Sequence, residues 1–157
     1  MSLPKVVYIG GVQCDEARPI EDESLRQFVE EPAAEAGVIV FSLGGSLDTD
    51  SLPHGFIETF FDIFRSLPQR VVWKLKKVPP HLLQKLPSNV KLVDWMPQQD
   101  LLGHRNTNLF ISHGGIQGAF ESICHGKPVL GIGLFGDQVV RWVDSRSGVR
   151  CVKISFA

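Results

Sequence analysis

The sequence predicts an α/β fold of the doubly wound kind, a parallel sheet with helices on both faces. Short β-rich apolar runs alternate with amphipathic stretches, the arrangement of strands joined by crossover helices. Several runs are apolar at consecutive positions, as strands covered on both faces are. At 157 residues the chain is one domain's worth by length, and long enough to bury a substantial core.

The elements follow in order. Residues 1–20 form a linker-like lead-in containing a first strand, VVYI (6–9), and a loop over 11–20. DESLRQFVEE (22–31) opens on an acidic residue that can cap a helix. VIVFSL (38–43) is the next strand, followed by a helix over 52–67. Phe56, Phe60, Ile63, Phe64 and Leu67 lie there at offsets of 3 and 4, a stripe that meets the sheet as core. RVVWKL (70–75) and VKLVDW (90–95) are strands, and the Pro-rich segment 76–89 between them reads as a loop. QQDLLG (98–103) is helical, NLFIS (108–112) a strand, GIQGAFESICH (115–125) a helix and PVLGI (128–132) a strand. A helix over 138–146 and a strand over 149–154 complete the pattern.

Composition removes several function classes. Sixteen Lys and Arg balance seventeen Asp and Glu without a block of like charge, so neither a phosphate backbone nor an anionic membrane surface has a track to follow; nucleic acid is not an expected partner. With 43% apolar and 21% charged residues and no apolar run near the roughly 20 residues of a membrane helix, the chain as given is expected to be soluble. Cys14, Cys124 and Cys151 are too widely spaced for a disulfide framework or a Cys-x-x-Cys metal site, and the expectation is buried free thiols. His104, His113 and His125 are too scattered to form a metal site. The opening MSLPKVVYIGG has no long apolar region of a signal peptide, and its abrupt start fits a piece of a longer protein.

In a doubly wound fold, ligands bind beyond the carboxyl ends of the strands. The residues following positions 43, 95, 112 and 132 should therefore converge: GGS, MPQQD, HGG and GLFGDQ. HGGIQGAF leaves a strand and opens a helix. Gly114 and Gly115 let the backbone approach a ligand, and the helix start presents unpaired N–H groups to an anion. His113 is either a donor to a bound diphosphate or a hydrogen-bonded part of the turn. Glu121, about 9 Å along the helix from Gly115 and on the face of Gln117, suits the two hydroxyls of a ribose; a solvated helix glutamate is the other reading. Trp95 ends a strand before Pro97, so its indole can face the crevice and stack on a flat base beside Gln98, or belong to the core. Asp137 and Gln138 pair a carboxylate with an amide, which suits a polyol or a helix cap.

The order of these features is more specific than any one of them. Trp-x-Pro-Gln-x-Asp-Leu-Leu, then Phe-Ile-Ser-His-Gly-Gly, Glu121, HGKPVLGI and LFGDQ resembles the signature of the UDP-glycosyltransferases, of the animal UDP-glucuronosyltransferase type. LPKVVYIGGVQC, GVIVFSLGGS and LPQRVVWKL are similar to the segments that precede it. The resemblance covers nearly the whole chain, as the C-terminal, donor-binding half of a two-domain GT-B protein with a Rossmann-like sheet.

The resemblance implies a UDP-sugar site in which Trp95 stacks on uracil, Met96 bonds it through its backbone, and Gln98 and Glu121 meet the ribose. Ser42, Gly44, Gly45, Ser46, His113, Gly115, Gln117 and Gly118 would hold the diphosphate, and Asp137 and Gln138 the transferred sugar. Gly133 stands where the family has Pro, and Val139, Val140 and Arg141 follow Gln138 where it has Asp-Asn, so sugar selectivity does not carry over. The implied reaction is inverting transfer of glucuronate or glucose to a small lipophilic acceptor, with the UDP-sugar as co-substrate and no cofactor or metal. No catalytic residue is expected within this chain. The general base and acceptor pocket would belong to an N-terminal domain, so the chain alone is expected to be inactive. A C-terminal membrane helix beyond it would place the enzyme on the lumenal side of the endoplasmic reticulum membrane. A non-catalytic nucleotide-sugar-binding subunit or pseudoenzyme working with a partner remains the alternative. A dinucleotide oxidoreductase is disfavoured, because no Gly-x-Gly-x-x-Gly follows the first strands.

Overall fold

The computed structural model describes residues 14–31, 36–45, 50, 52–132 and 153–154. The expected strand at 6–9, the helix over 138–146, and Ser46, Asp137, Gln138 and Cys151 lie outside the described residues. Along the chain run α1 (Glu23–Glu30), β1 (Val38–Ser42), α2 (Phe56–Arg65), β2 (Arg70–Lys74), α3 (Pro80–Leu83), β3 (Val90–Val93), α4 (Gln98–Gly103), β4 (Thr107–Ser112), α5 (Ile116–Cys124), β5 (Val129–Ile132) and β6 (Lys153–Ile154).

The described strands form one sheet in the order β3-β2-β1-β4-β5-β6, every pair parallel. The chain winds outward from β1 through β2 to β3, then crosses back and winds outward from β4 on the other side. That reversal of direction between β1 and β4 is the switch point of a doubly wound sheet. Val38 to Ser42 are all buried, as a central strand covered on both faces requires.

Alternation along the strands divides the core in two. Ile39, Phe41, Val71, Trp73 and Ile111 face α2 and α3, and Val38, Val40, Val72, Phe110 and Val129 face α1 and α4. The first layer is aromatic: Phe41 stacks on Trp73 with centroids 4.6 Å apart, and Phe60 and Phe64 close around both. Each fully buried side chain of this size contributes on the order of 1.5–3 kcal/mol.

Three expectations change here. The buried face of α2 is Phe56, Ile57, Phe60, Phe61 and Phe64, two adjacent rows at offsets of four, and Ile63 points outward at 46% exposure. The Pro-rich loop of 76–89 contains a single helical turn, α3, because Pro80 stands at a helix start, where its missing N–H costs nothing. Cys14 and Cys124 are not buried free thiols. They are joined in a disulfide, with Cα atoms 5.9 Å apart, because the lead-in folds back to the end of α5. A sequence separation of 110 residues conceals that proximity. Among the described residues no helix is long and apolar enough to cross a membrane.

Candidate functional site

β1 and β4 end on serines that lie opposite each other, Ser42 against Ser112. Each strand then runs into Ser-x-Gly-Gly. The Ser42 hydroxyl accepts from the Gly44 amide at 3.4 Å and the Ser112 hydroxyl from the Gly114 amide at 3.2 Å. Gly44 and Gly114 both take positive φ, +95° and +87°, which residues with a Cβ rarely adopt. Two turns of similar form thus leave the sheet side by side at the switch point.

A cavity of about 470 Å³ opens above them, within the range of small-ligand pockets. Ser42, Gly44 and Gly45 line one side; Ser112, His113 and Gly115 line the other, and the first turn of α5 closes it with Ile116, Gln117 and Gly118. Among the described residues no side chain caps the start of α5 at Gly115, so the helix presents N–H groups and the positive end of its dipole there.

The glycines are fitted to the histidine. A Cβ on Gly44 would stand 3.1 Å from the His113 ring, and one on Gly115 would stand 2.6 Å from Nε2, so the imidazole occupies a slot that two side chains would close. Burial lowers the pKa of His113 below 6.5, with a nearby Ser42 backbone group opposing it in part, which favours the neutral ring. Its Nδ1 is buried without a well-formed hydrogen bond among the described residues. Among the described residues no carboxylate hydrogen-bonds to it to orient it as a catalytic base would be oriented. The ring is placed as a neutral hydrogen-bonding group on the cavity wall.

Lys74, the last residue of β2, also lines the cavity and was not expected there. Among the described residues its side chain forms no ion pair or hydrogen bond, and none of those lining the cavity is acidic. One uncompensated positive charge, an uncapped helix start and two glycine turns make a surface for an anion. The strand-end rule applied to the expected strand 70–75 points past Leu75, whereas β2 ends one residue sooner, at Lys74.

Further along the wall, Gln98 donates to Glu121 at 2.6 Å, joining two residues that lie on separate helices. Gln98 lines the cavity and Glu121 stands behind it. Gly118 allows this approach: a Cβ there would lie 3.1 Å from the Phe110 ring and 3.3 Å from the Gln98 amide. Met96 is 4% exposed, its side chain in the core layer beneath α4. Trp95 is not among the residues lining the cavity. It is 72% exposed and borders a separate cleft of about 220 Å³ with Arg18, Pro19 and Pro97. The physical cause is position: β3 is the outermost strand on its side and ends at Val93, so Trp95 leaves the sheet two strands from the switch point. Among the described residues no cluster of three or more His, Cys, Asp or Glu could hold a metal ion.

Comparison with known proteins gives a consistent picture. Residues 1–151 match the family described as "UDP-glucoronosyl and UDP-glucosyl transferase". UDP-glucosyltransferase 2 of Dactylopius coccus is 42% identical over 136 residues, which cover 87% of this chain and 25% of that protein. UDP-glucuronosyltransferase 2B13 of Oryctolagus cuniculus is 39% identical over 154 residues, 98% of this chain and 28% of that protein. The chain thus spans about a quarter of the length of these curated relatives. Among solved structures, Os79 from O. sativa in complex with UDP shares the fold with a TM-score of 0.65 at 21% identity, over 78% of this chain and 28% of that one.

Proposed function

Because the chain belongs to the UDP-glucuronosyl and UDP-glucosyl transferase family, we propose that the switch-point cavity holds the diphosphate of a UDP-sugar, and that the domain supplies the donor half of an inverting glycosyl transfer. The observation that carries this reading is the character of the cavity wall. Among the described residues it has no acidic residue, one lysine whose side chain is unpaired, an uncapped helix start and two glycine turns side by side.

In the reaction, a hydroxyl of a small lipophilic acceptor attacks the anomeric carbon of the sugar from the side opposite UDP. The bond from that carbon to the β-phosphate oxygen breaks and UDP leaves. Negative charge grows on the departing phosphate, where the N–H groups at the start of α5, His113 and Lys74 stabilise it without reorganising. The joined Gln98 and Glu121 receive the ribose hydroxyls, the carboxylate accepting from the diol. Trp95, exposed and next to α4, offers its face to uracil once the nucleotide lies across Pro97. Os79 from O. sativa, which shares the fold, is a protein crystallised in complex with UDP.

The base that takes the acceptor's proton, and the acceptor pocket, belong on this reading to a part of the longer protein outside these 157 residues. The chain alone binds donor and turns nothing over. On this reading the full protein works on the lumenal side of the endoplasmic reticulum membrane, a placement that the resemblance to the animal enzymes supports. The test is a thermal-shift comparison of UDP, UDP-glucose, UDP-glucuronate and ADP, since a ligand that binds only the folded state raises the melting temperature. UDP and at least one UDP-sugar should stabilise the domain at millimolar concentration and ADP should do so less. Equal shifts with ADP, or none with any of the four, would overturn the assignment.

A further inference from the structure

The lead-in is fastened to the two helices that carry the ribose-reading pair, and its one covalent tie among the described residues is a disulfide. Cys124 is the last residue of α5, three positions after Glu121. Cys14, its partner, is exposed. Between them the lead-in crosses α4: the Gln99 side chain donates to the Asp15 carbonyl at 2.8 Å and the Arg18 amide donates to Asp100 Oδ1 at 2.8 Å. Ala17 packs so closely on Gly103 that no side chain fits there. The lead-in therefore attaches to α4 immediately after Gln98 and to α5 one turn after Glu121. Both hydrogen bonds are exposed, so over residues 14–18 the disulfide and the Ala17 contact on Gly103 are the main holds, while Ile20, buried in the core, anchors the far end of the lead-in.

We propose that the Cys14–Cys124 disulfide is a redox clip for ribose recognition. This proposal rests on the donor-site reading above. Closed, the clip pins α4 to the end of α5 and keeps the Gln98 amide on Glu121. Open, it frees the lead-in as far as Ile20 and lets the two helices separate. Opening is thiol–disulfide exchange with a small thiol such as glutathione. A first thiolate attacks the exposed Cys14 sulfur, forming a mixed disulfide and expelling the Cys124 thiolate. A second thiolate attacks the small-molecule sulfur of that mixed disulfide and expels Cys14. Two electrons and two protons pass to the protein, and two glutathiones become one oxidised glutathione. An oxidising compartment keeps the clip closed, and a reducing one opens it.

The test uses the whole chain equilibrated in glutathione buffers of opposite poise. Peptide mapping should find Cys14 joined to Cys124 under oxidised glutathione and free under reduced. Calorimetry with UDP and 2′-deoxy-UDP in each state should show the preference for UDP falling at least threefold on reduction. Cys14→Ser, a change at an exposed position that leaves α5 intact, should show the lowered preference in both buffers, and gives a second reading should reduction also loosen the fold. Free Cys14 and Cys124 under oxidised glutathione, or an unchanged preference in protein that binds UDP, would overturn the clip alone. Failure of the oxidised wild-type chain to bind UDP would overturn the donor site and the clip with it.

Discussion

Ser42-Leu43-Gly44-Gly45 and Ser112-His113-Gly114-Gly115 are built on one plan at neighbouring strand ends, and they differ at the second position. In both, a buried serine holds the amide two residues on, and a glycine with positive φ turns the chain. Leu43, 5% exposed, belongs to the aromatic layer over α2, whereas His113 stands in the cavity between Gly44 and Gly115. The second turn also opens directly into α5. Serine and glycine set the form of each turn; the residue between them decides whether it anchors the core or faces the ligand.

Exchanging those residues should have the largest effect. Leu43→His puts an imidazole without a partner among Phe41, Phe56 and Trp73 and should cost about 2–5 kcal/mol in urea unfolding. His113→Leu should stay within about 1 kcal/mol of wild type, because it removes a buried nitrogen without a well-formed hydrogen bond among the described residues, yet it should weaken UDP binding. Equal destabilisation by both changes would erase the distinction between the turns.

Gly44→Ala and Gly115→Ala should separate backbone form from the histidine slot. At φ +95°, alanine at position 44 is strained and should cost about 1–3 kcal/mol of stability. Gly115 has φ −59°, which alanine adopts freely, so its added methyl should instead displace His113. The expected outcome is UDP affinity lowered about tenfold by calorimetry, with stability within about 0.5 kcal/mol of wild type.

Smaller again are the serines. Ser112→Ala should cost about 1 kcal/mol and Ser42→Ala less, following the hydrogen bonds of 3.2 and 3.4 Å. The smallest expected effect is on pH dependence. Burial holds the His113 pKa below 6.5, so between the folded value and 6.5 the unfolded chain binds more protons and stability falls as pH drops through that window. His104 is shifted in the same direction by burial. His113→Leu should therefore reduce the loss between pH 7.5 and 5.5 without abolishing it, and a slope equal to wild type would contradict the assigned burial.

The turns were legible in the sequence because their signal is local: a β-rich run followed by serine and two glycines has few other uses. The central strand, buried at every position, was legible for the same reason. Features that depend on distant packing were not. A stripe at offsets of 3 and 4 includes Ile63 beside Phe64, and only the position of the sheet against α2 turns Ile63 outward. Trp95 ends the expected strand at 90–95, but the extra residues beyond Val93 and the edge position of β3 carry it to a neighbouring cleft. The Cys14–Cys124 bond depends on the path of the lead-in, which no spacing encodes. Lys74 was readable, since it ends a strand next to β1, but it lies inside the apolar run rather than after it.

The central claim is that the diphosphate sits where the two turns meet the start of α5. Amide NMR spectra during a titration with UDP locate the ligand directly. The largest shifts are expected at Gly44, Gly45, Gly115, Ile116 and Gln117, growing to saturation with UDP and weaker with uridine, which lacks the phosphates. Shifts confined to the cleft of Arg18, Pro19 and Trp95, or equal shifts with uridine at the glycine turns, would contradict it.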